Sequence, residues 1–332
     1  VTIGDSTVMV PVFTEPAMQS PFVLDGQGGT TLMQETPEGL IPLADVSFAS
    51  DPAFYSRTTA DGIPYQQIAT LHGKDVLATT VLQTCIRYQS RKKTCQFCSI
   101  GQSLSAGRTI ERKSPAQLAE VAKVAVELDG VKHMVMTTGT PGTSDRGAAI
   151  LCESVEAVKA AVDIPIQVQC EPPDNDAWFT RLKEAGADAL GMHLEAVTET
   201  VRQRVMPGKA SVSVREYMRA FKVAVEVFGR GQVSTYILAG LGDSQEDILA
   251  VCDELIALGV YPFVVPFVPV RGTPLEDHTP PTDEFMDSIL RPLSARLRSA
   301  GLLAADIKAG CGRCGACSSL ASYEKEAPAD AH

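Results

Sequence analysis

Long hydrophobic runs are absent from this 332-residue sequence. No stretch approaches the roughly 18 consecutive apolar residues that a membrane-spanning helix requires. The first residues also lack the basic region, apolar segment and small-residue cleavage site that are typical of a secretory signal. We therefore expect a cytoplasmic protein with no membrane partner.

Positive charge is scarce as well. The sequence has 29 Lys and Arg residues against 40 Asp and Glu residues, and its formal net charge is −11. Only the segment 87–93 is locally basic. Because phosphate binding needs clustered Lys and Arg, we expect no nucleic-acid partner.

Low-complexity sequence is also missing. Hydrophobic residues make up 45% of the chain and charged residues 21%. Such a composition allows a sizeable core to be buried and is not typical of a disordered protein. The length suits one large α/β domain with appendages.

Three segments with different patterns divide the chain. Residues 1–74 are rich in proline and glycine, and they predict an irregular or β-containing segment that caps the main domain. Residues 75–300 alternate apolar, β-rich runs with amphipathic segments, which predicts an α/β fold with a parallel sheet. Residues 301–332 form a cysteine-bearing tail.

Six strand and helix pairs are recognisable in the central segment. The predicted strands are Val76–Gln83, Lys132–Thr138, Ile164–Cys170, Ala187–His193, Val233–Ala239 and Tyr261–Val268. The predicted helices are Ser114–Leu128, Ile150–Val162, Trp178–Ala185, Val214–Phe228, Gln245–Leu258 and Asp283–Ala300. Joined by right-handed crossovers, these units predict a partial (β/α)6 barrel whose site lies at the C-terminal ends of the strands.

Six of the nine cysteines fall in two tight groups, which in a cytosolic chain favours metal or cluster binding over disulfides. The first group, Cys85, Cys95 and Cys98, follows the first predicted strand. Three thiolates at a barrel mouth suit a four-iron cluster in which one iron lacks a protein ligand. The alternative is a zinc site in which Cys95 and Cys98 pair with distant cysteines such as Cys311 and Cys314.

This first group resembles that of the radical S-adenosylmethionine (radical SAM) superfamily. In that family three cysteines after the first barrel strand hold a [4Fe-4S] cluster, and its open iron binds SAM. Phe97, just before Cys98, also resembles the family pattern, whereas the gap of nine residues after Cys85 is three in the commonest form. The resemblance implies reductive cleavage of SAM to a 5′-deoxyadenosyl radical.

Residues that follow the later strands extend the resemblance. The segment Thr138, Gly139 and Thr140 resembles the turn that faces the SAM amino group. The other implied SAM contacts are Glu171 and Glu195 at neighbouring strand ends, Arg204 or Lys209 at the SAM carboxylate, and Val268 in the segment that touches adenine. For each carboxylate the alternative is a solvated loop acid, and for Glu195 a surface pair with Arg202.

The second group, Cys311, Cys314 and Cys317, has the spacing C-x2-C-x2-C with intervening glycines. Its spacing resembles part of a bacterial ferredoxin motif and predicts a second [4Fe-4S] cluster. The fourth iron is either open or held by a remote group, for which Cys170 is the candidate. A structural zinc site is the alternative.

Within the superfamily, the stretches Tyr65–Gly73, Asp75–Cys85 and Cys95–Ser103 resemble the radical SAM proteins of nitrilase-associated bacterial gene clusters. This resemblance implies a link to nitrile or cyanide metabolism. The expected partners are a small-molecule substrate and a one-electron reductant such as a flavodoxin or ferredoxin. One alternative is a sulfur-inserting enzyme similar to biotin or lipoyl synthase, in which the second cluster supplies sulfur. Another is an iron-sulfur or zinc-binding protein that does not cleave SAM.

Overall fold

Two β-sheets organise the chain in the computed structural model. The described residues are 1–11, 15–25, 29–88, 90 and 92–326. The basic segment 87–93 and the predicted tail 301–332 therefore lie partly outside the described residues, at Gln89, Arg91 and 327–332.

The N-terminal sheet is antiparallel and has five strands in the order β2-β1-β5-β4-β3. Its strands are β1 (Thr2–Ile3), β2 (Ser6–Thr7), β3 (Phe22–Leu24), β4 (Thr31–Thr36) and β5 (Gly39–Ser47). A short helix, α1 (Glu15–Met18), precedes β3. This sheet agrees with the predicted β-containing N-terminal segment.

The second sheet has seven strands in the order β12-β11-β10-β9-β8-β7-β6 and forms a curled half-barrel. Its strands are β6 (Thr70–His72), β7 (Val76–Thr80), β8 (His133–Thr137), β9 (Ile166–Gln169), β10 (Ala189–Gly191), β11 (Val233–Ala239) and β12 (Val260–Pro266). The six strands from β7 to β12 are parallel, and β6 is an antiparallel addition at the edge. The predicted partial barrel is confirmed.

Helices cover the outer face of the half-barrel and fill the connections. They are α2 (Tyr65–Ile68), α3 (Ile100–Ser105), α4 (Pro115–Asp129), α5 (Ala148–Ala161), α6 (Ala177–Glu184), α7 (Glu199–Val205), α8 (Val214–Phe228), α9 (Gln245–Leu258), α10 (Asp283–Ala300), α11 (Cys311–Cys314) and α12 (Leu320–Lys325). The apolar stripes of α4, α5, α8, α9 and α10 pack with the outward side chains of the strands in one continuous core.

Local sequence explains where the longer helices begin and end. Ser114 caps α4 in a capping box with Gln117, and Ser244 caps α9 in the same way with Asp247. Gly130 ends α4 in the left-handed conformation, with φ +63°.

Side chains alternate between the helix-covered face and the concave face of the half-barrel. On β8, Met134 and Met136 belong to the core under the helices, whereas the side chain of Thr137 meets that of Thr80 across the sheet at 3.0 Å. On β9, the side chain of Gln167 donates to that of Ser234 on β11. The concave face is therefore polar, and it is available to a site.

The cysteine tail packs against this concave face. The Gly310 N–H donates to the ring of His133 on β8, and Ser318 donates to the Val264 carbonyl on β12 at 2.6 Å. The tail also touches the N-terminal segment, because the Met9 N–H donates to the Ala316 carbonyl at 2.8 Å. No helix among the described residues is long and apolar enough to cross a membrane.

Candidate active site

The first cysteine group lies in the loop 85–98, which follows β7 and is bound to the segment after α7. The Gln96 N–H donates to the Val205 carbonyl at 2.7 Å, and the Gly208 N–H donates to the Lys93 carbonyl at 3.1 Å. A side chain at Gly208 would collide with that same carbonyl. Glycine therefore permits the close approach that brings the loop to the strand ends.

The three thiols of this loop are partly buried neighbours. Cys98 lies close enough to Cys85 and Glu195 to interact electrostatically with both, and Cys95 interacts with Cys98, Glu195 and Lys209. Burial raises the pKa of Cys98 to about 11, and burial also raises that of Cys95 strongly. Thiolates here need a positive partner such as a metal centre, because burial disfavours the isolated anion.

Glu195 follows β10 and has an unusual backbone conformation. Its φ is 64°, in the left-handed region that non-glycine residues seldom occupy. The Glu195 carboxylate accepts a hydrogen bond from Lys209 Nζ at 2.8 Å, and only 10% of the Lys209 side chain is exposed. Strained residues of this kind cluster at functional sites, where the surrounding structure over-determines them.

Glu171 follows β9 and is buried in a second ion pair. Arg87 donates to its two carboxylate oxygens at 2.7 and 2.6 Å, and Thr140 donates to Glu171 Oε1 at 2.7 Å. Burial alone would raise the pKa of Glu171, but the hydrogen bonds from Arg87 and the charge of Lys209 outweigh it and hold the pKa below its ordinary value. The predicted residues Thr140 and Glu171 are thus brought together.

The two arginines of α7 differ in their surroundings. Arg202 is fully buried, and its guanidinium donates to the carbonyls of Leu194, Ala196 and Val212. It does not pair with Glu195, so the alternative of a surface pair between these two residues is wrong. Arg204 is exposed and donates to the Leu241 carbonyl at 2.6 Å. Arg202 ties three loops together, whereas Lys209 is the cation beside Glu195.

The turn after β8 is packed closely against the cysteine loop. The Gly139 N–H donates to the Leu82 carbonyl, and a side chain at Gly139 would collide with the carbonyl of Thr84. Thr138 donates to the Gly139 carbonyl at 2.9 Å. Gly139 is therefore required by the approach of the residue just before Cys85.

Phe97 and Val268 line one apolar cavity of about 550 Å³ at the ends of β11 and β12. Phe97 also packs on a small buried cluster that includes Met206 and Phe267. The same cavity is lined by Cys317 of the second group. It therefore extends from Phe97 of the cysteine loop to Cys317 of the second group.

The second cysteine group lies against the concave face of the half-barrel. Gln169 donates its side-chain amide to Cys311 Sγ at 3.3 Å, and the Tyr236 hydroxyl donates to Cys317. The ring of His72 lies 3.5 Å from Cys314 Sγ and 3.7 Å from Cys317 Sγ. Strands β6, β9 and β11 thus each contribute a polar side chain to this group.

The structure does not place Cys170 with the second group. Cys170 follows Gln169 and points into the core beneath the helices, where it interacts electrostatically with Cys152 of α5. Successive side chains of a strand point to opposite faces of the sheet, so Cys170 faces the core because Gln169 faces the concave side. The prediction of Cys170 as a fourth ligand is wrong.

Among the described residues, no three His, Cys, Asp or Glu side chains converge to hold a single metal ion. The proposed zinc site shared by the two groups is therefore not assembled there. The donor set of each group, three cysteine sulfurs, fits an iron-sulfur cluster in its chemistry. This chemical fit depends on the kind of ligand and on Gly139 and Gly208, which leave room for the close approach of the cysteine loop.

A parallel half-barrel with three cysteines after its first parallel strand defines a class of enzymes that bind an iron-sulfur cluster at the strand ends. The family model of the radical SAM superfamily matches residues 91–255. The chain belongs to the radical SAM superfamily, whose enzymes use a [4Fe-4S] cluster and SAM and need an electron donor. The expected superfamily is confirmed, with the [4Fe-4S] cluster and the SAM that its enzymes use.

Individual relatives are distant. Bacteriochlorophyllide c C-7(1)-hydroxylase of Chlorobaculum limnaeum is 24% identical over 215 residues, which are 58% of this chain and 53% of the relative. Lipoyl synthase of Marinobacter nauticus is 26% identical over 175 residues, which are 51% of this chain and 47% of the relative. The chain thus spans about half the length of the curated relatives that it matches.

Solved structures share the fold. Methylornithine synthase superposes with a TM-score of 0.51 at 19% identity, covering 70% of this chain and 64% of that one. The [FeFe]-hydrogenase maturase HydG gives a TM-score of 0.50 at 15% identity, covering 71% of this chain and 52% of that one. Both likenesses support the half-barrel.

Sequence reasoning missed several side chains of the two sites. Arg87 lies between the first two cysteines and pairs with Glu171, and His72, Gln169 and Tyr236 surround the second group. Arg87 carried a weak signal, since it begins the one basic segment of the chain. His72 carried none, because its strand has only three residues.

Proposed function

We propose that this chain cleaves SAM reductively and directs the resulting 5′-deoxyadenosyl radical to a hydrogen of a small-molecule substrate. The proposal assigns the [4Fe-4S] cluster of the family to Cys85, Cys95 and Cys98. The observation that carries it is the meeting of these thiols with Glu195, Lys209 and the predicted residues after β8 and β9. The cluster, when bound, supplies the electron that breaks the sulfonium bond of SAM.

The residues around the thiols provide contrasting charges for the two ends of SAM. Glu195 keeps one carboxylate oxygen beyond its contact with Lys209, and that oxygen is suited to accept from an ammonium or ribose hydroxyl. Lys209 or Arg204 is suited to pair with the carboxylate of SAM. Thr138, Gly139 and Thr140 are proposed to face the amino group, and Val268 the adenine.

Ion pairing fixes these groups before any ligand arrives. Arg87 and Thr140 hold Glu171, and Lys209 holds Glu195, so neither carboxylate has to give up rotamer freedom on binding. Groups that are already oriented cost less to use when a substrate binds. Phe97, on the apolar side of the cavity, excludes water from the reacting region.

The test is production of 5′-deoxyadenosine by anaerobically reconstituted, reduced protein. Replacement of Cys85, Cys95 and Cys98 together by Ala should abolish it while the circular dichroism of the half-barrel is retained. A matched control replaces the buried thiol Cys252, which packs in α9 away from both groups, by Ala. Undiminished cleavage in the triple variant would contradict the assignment.

We propose that Cys311, Cys314 and Cys317 hold a second [4Fe-4S] cluster. Support comes from their position on the concave face and from the cavity that Phe97 and Cys317 share. A substrate in that cavity would lie between the two cysteine groups. Residues 1–74 and 301–332 are proposed as covers of this region, since Met9, Val10 and Cys317 all line it.

The substrate is proposed to belong to nitrile or cyanide metabolism, on the resemblance to the radical SAM proteins of nitrilase-associated gene clusters. Sulfur insertion is the second candidate, and the lipoyl synthases among the relatives favour it. Labelling the sulfide of the second cluster separates the two. Labelled sulfur in the product supports insertion, whereas deuterium transfer from a nitrile-related metabolite into 5′-deoxyadenosine without sulfur transfer supports the first.

A further inference from the structure

We propose that His72 is the fourth protein ligand of the second cluster. The inference rests on the proposed cluster at Cys311, Cys314 and Cys317 and adds the residue that completes it. His72 Nδ1 lies 3.5 Å from Cys314 Sγ, and His72 Nε2 lies 3.7 Å from Cys317 Sγ. The imidazole therefore touches two of the three thiols although it is more than 240 residues away in sequence.

The edge strand β6 explains how His72 reaches the tail. His72 pairs with Val76 of β7 in antiparallel register, two residues along from the pairing of Thr70 with Ala78. Directly paired residues of neighbouring strands project to the same face. A hairpin of three residues then joins β6 to β7, so His72 is fixed to the rigid sheet rather than to a loop.

The turn after His72 is shaped around the cysteines. Gly73 has a φ of +60°, and a side chain there would come within 2.7 Å of Cys314 Sγ. A residue other than glycine would thus be strained in its backbone and would also displace the sulfur. On the other side of the group, a side chain at Gly310 would collide with Gln167. Two close approaches hold the cysteine segment against β6 and β9.

Among the side chains in hydrogen-bond contact with the three thiols, His72 has the chemistry of a ligand. Gln169 presents its amide nitrogen to Cys311, and that nitrogen donates a hydrogen bond but has no lone pair for a metal. Tyr236 donates its hydroxyl to Cys317. A neutral imidazole offers one ring nitrogen as a ligand, as histidines do in Rieske centres.

The proposed ligation of the second cluster conserves protons and electrons. In the proposed site, Cys311, Cys314 and Cys317 would each release a thiol proton to solvent and bind one iron through sulfur, and neutral His72 would give the lone pair of one ring nitrogen to the fourth iron. No electron is transferred in this step. Gln169 and Tyr236 remain as hydrogen-bond donors to the thiolates.

The test uses the full chain with Cys85, Cys95 and Cys98 replaced by Ala, so that only the second cluster contributes to the spectra. In the reduced protein, pulsed EPR should detect hyperfine coupling to a histidine nitrogen. His72→Ala should abolish that coupling, and mild oxidation should then convert the cluster to a three-iron form with loss of one iron in four. His72→Cys should keep four irons without the nitrogen coupling and should lower the midpoint potential, because an anionic thiolate replaces a neutral imidazole.

His133→Gln is the matched control, because His133 is the buried histidine that accepts from the Gly310 N–H beside the cysteine group. It should retain the nitrogen coupling. Coupling that persists in His72→Ala, or a four-iron cluster without any histidine coupling in the starting protein, overturns the His72 assignment alone. Absence of iron from the starting protein overturns the second cluster and His72 together, while SAM cleavage at the first group remains separately measurable.

Discussion

Glu195 is the residue at which backbone strain, charge and position coincide. Its left-handed backbone sets the carboxylate at the end of β10, where Lys209 meets it at 2.8 Å. An ordinary surface acid would not need a conformation that costs of order 1–3 kcal/mol. The strain is therefore best explained by the need to hold this carboxylate beside the cysteine loop.

Replacement of Glu195 by Gln, which keeps the size and removes the charge, should weaken SAM binding. The loss of one charge-assisted hydrogen bond is worth about 1.5–3 kcal/mol, roughly one to two orders of magnitude in affinity. The measurement is anaerobic titration of SAM into reconstituted protein. Glu246→Gln, an exposed acid in the first turn of α9, is the control and should bind as the wild type does. Unchanged affinity in Glu195→Gln would return this residue to a purely structural role.

At the scale of elements, the tail is the part whose removal should separate the two cysteine groups. Replacing Cys311, Cys314 and Cys317 by Ala should lower the iron content from about eight to about four atoms per chain. Reductive SAM cleavage should survive, because the first group contacts Glu195 and Lys209 rather than the tail. Product formation should stop. Metal analysis measures the iron content, and 5′-deoxyadenosine assays measure SAM cleavage. A variant that keeps its iron while losing zinc would exclude the second cluster.

Elements were predictable where a single local pattern determines them. Helices α8, α9 and α10 and strand β11 have the predicted bounds, because amphipathic stripes and capping residues act within a few positions. Strands β9 and β10 are shorter than predicted, and β10 gives way to the left-handed backbone of Glu195. Strand β6 was missed, since three residues show no period.

The candidate sites were predictable only in part for a related reason. Cysteine spacing identifies ligands that are close in sequence, and parallel strands bring their ends together by topology, which is how Glu171 and Glu195 were found. Contacts such as Arg87 with Glu171 or His72 with Cys314 join segments 84 and 242 residues apart. Nothing local in the sequence records such pairs, so the geometry of the sheet has to be known first.

At the scale of the whole molecule, buried histidines should make the fold sensitive to mild acid. Burial lowers the pKa of His133 to about 4, below its ordinary value near 6.5. Between these values the unfolded chain binds more protons than the folded one, so stability is full above pH 6.5 and falls as the pH is lowered toward 4. The titration of His133 alone should lower the free energy of unfolding by about 2 kcal/mol between pH 7 and pH 5.

Urea denaturation of the metal-free protein at the two pH values measures this loss. His133→Gln should lose less stability than the wild type over the same interval, because the glutamine does not titrate. Some loss should remain in the variant, since burial also lowers the pKa of His193 to about 3. An identical loss in both proteins would show that His133 does not contribute.

The packing of the tail on the sheet has a consequence for the order of folding. Each strand and helix pair closes over a short stretch of chain, whereas the contacts of Cys314 and Cys317 with His72 span 242 and 245 residues. Contacts between residues far apart in sequence are the slowest to form, because chain entropy is lost before the contact energy is gained. We therefore expect the half-barrel to form first with its concave face open to solvent, and the cysteine segment to dock last, in a step that metal loading can drive.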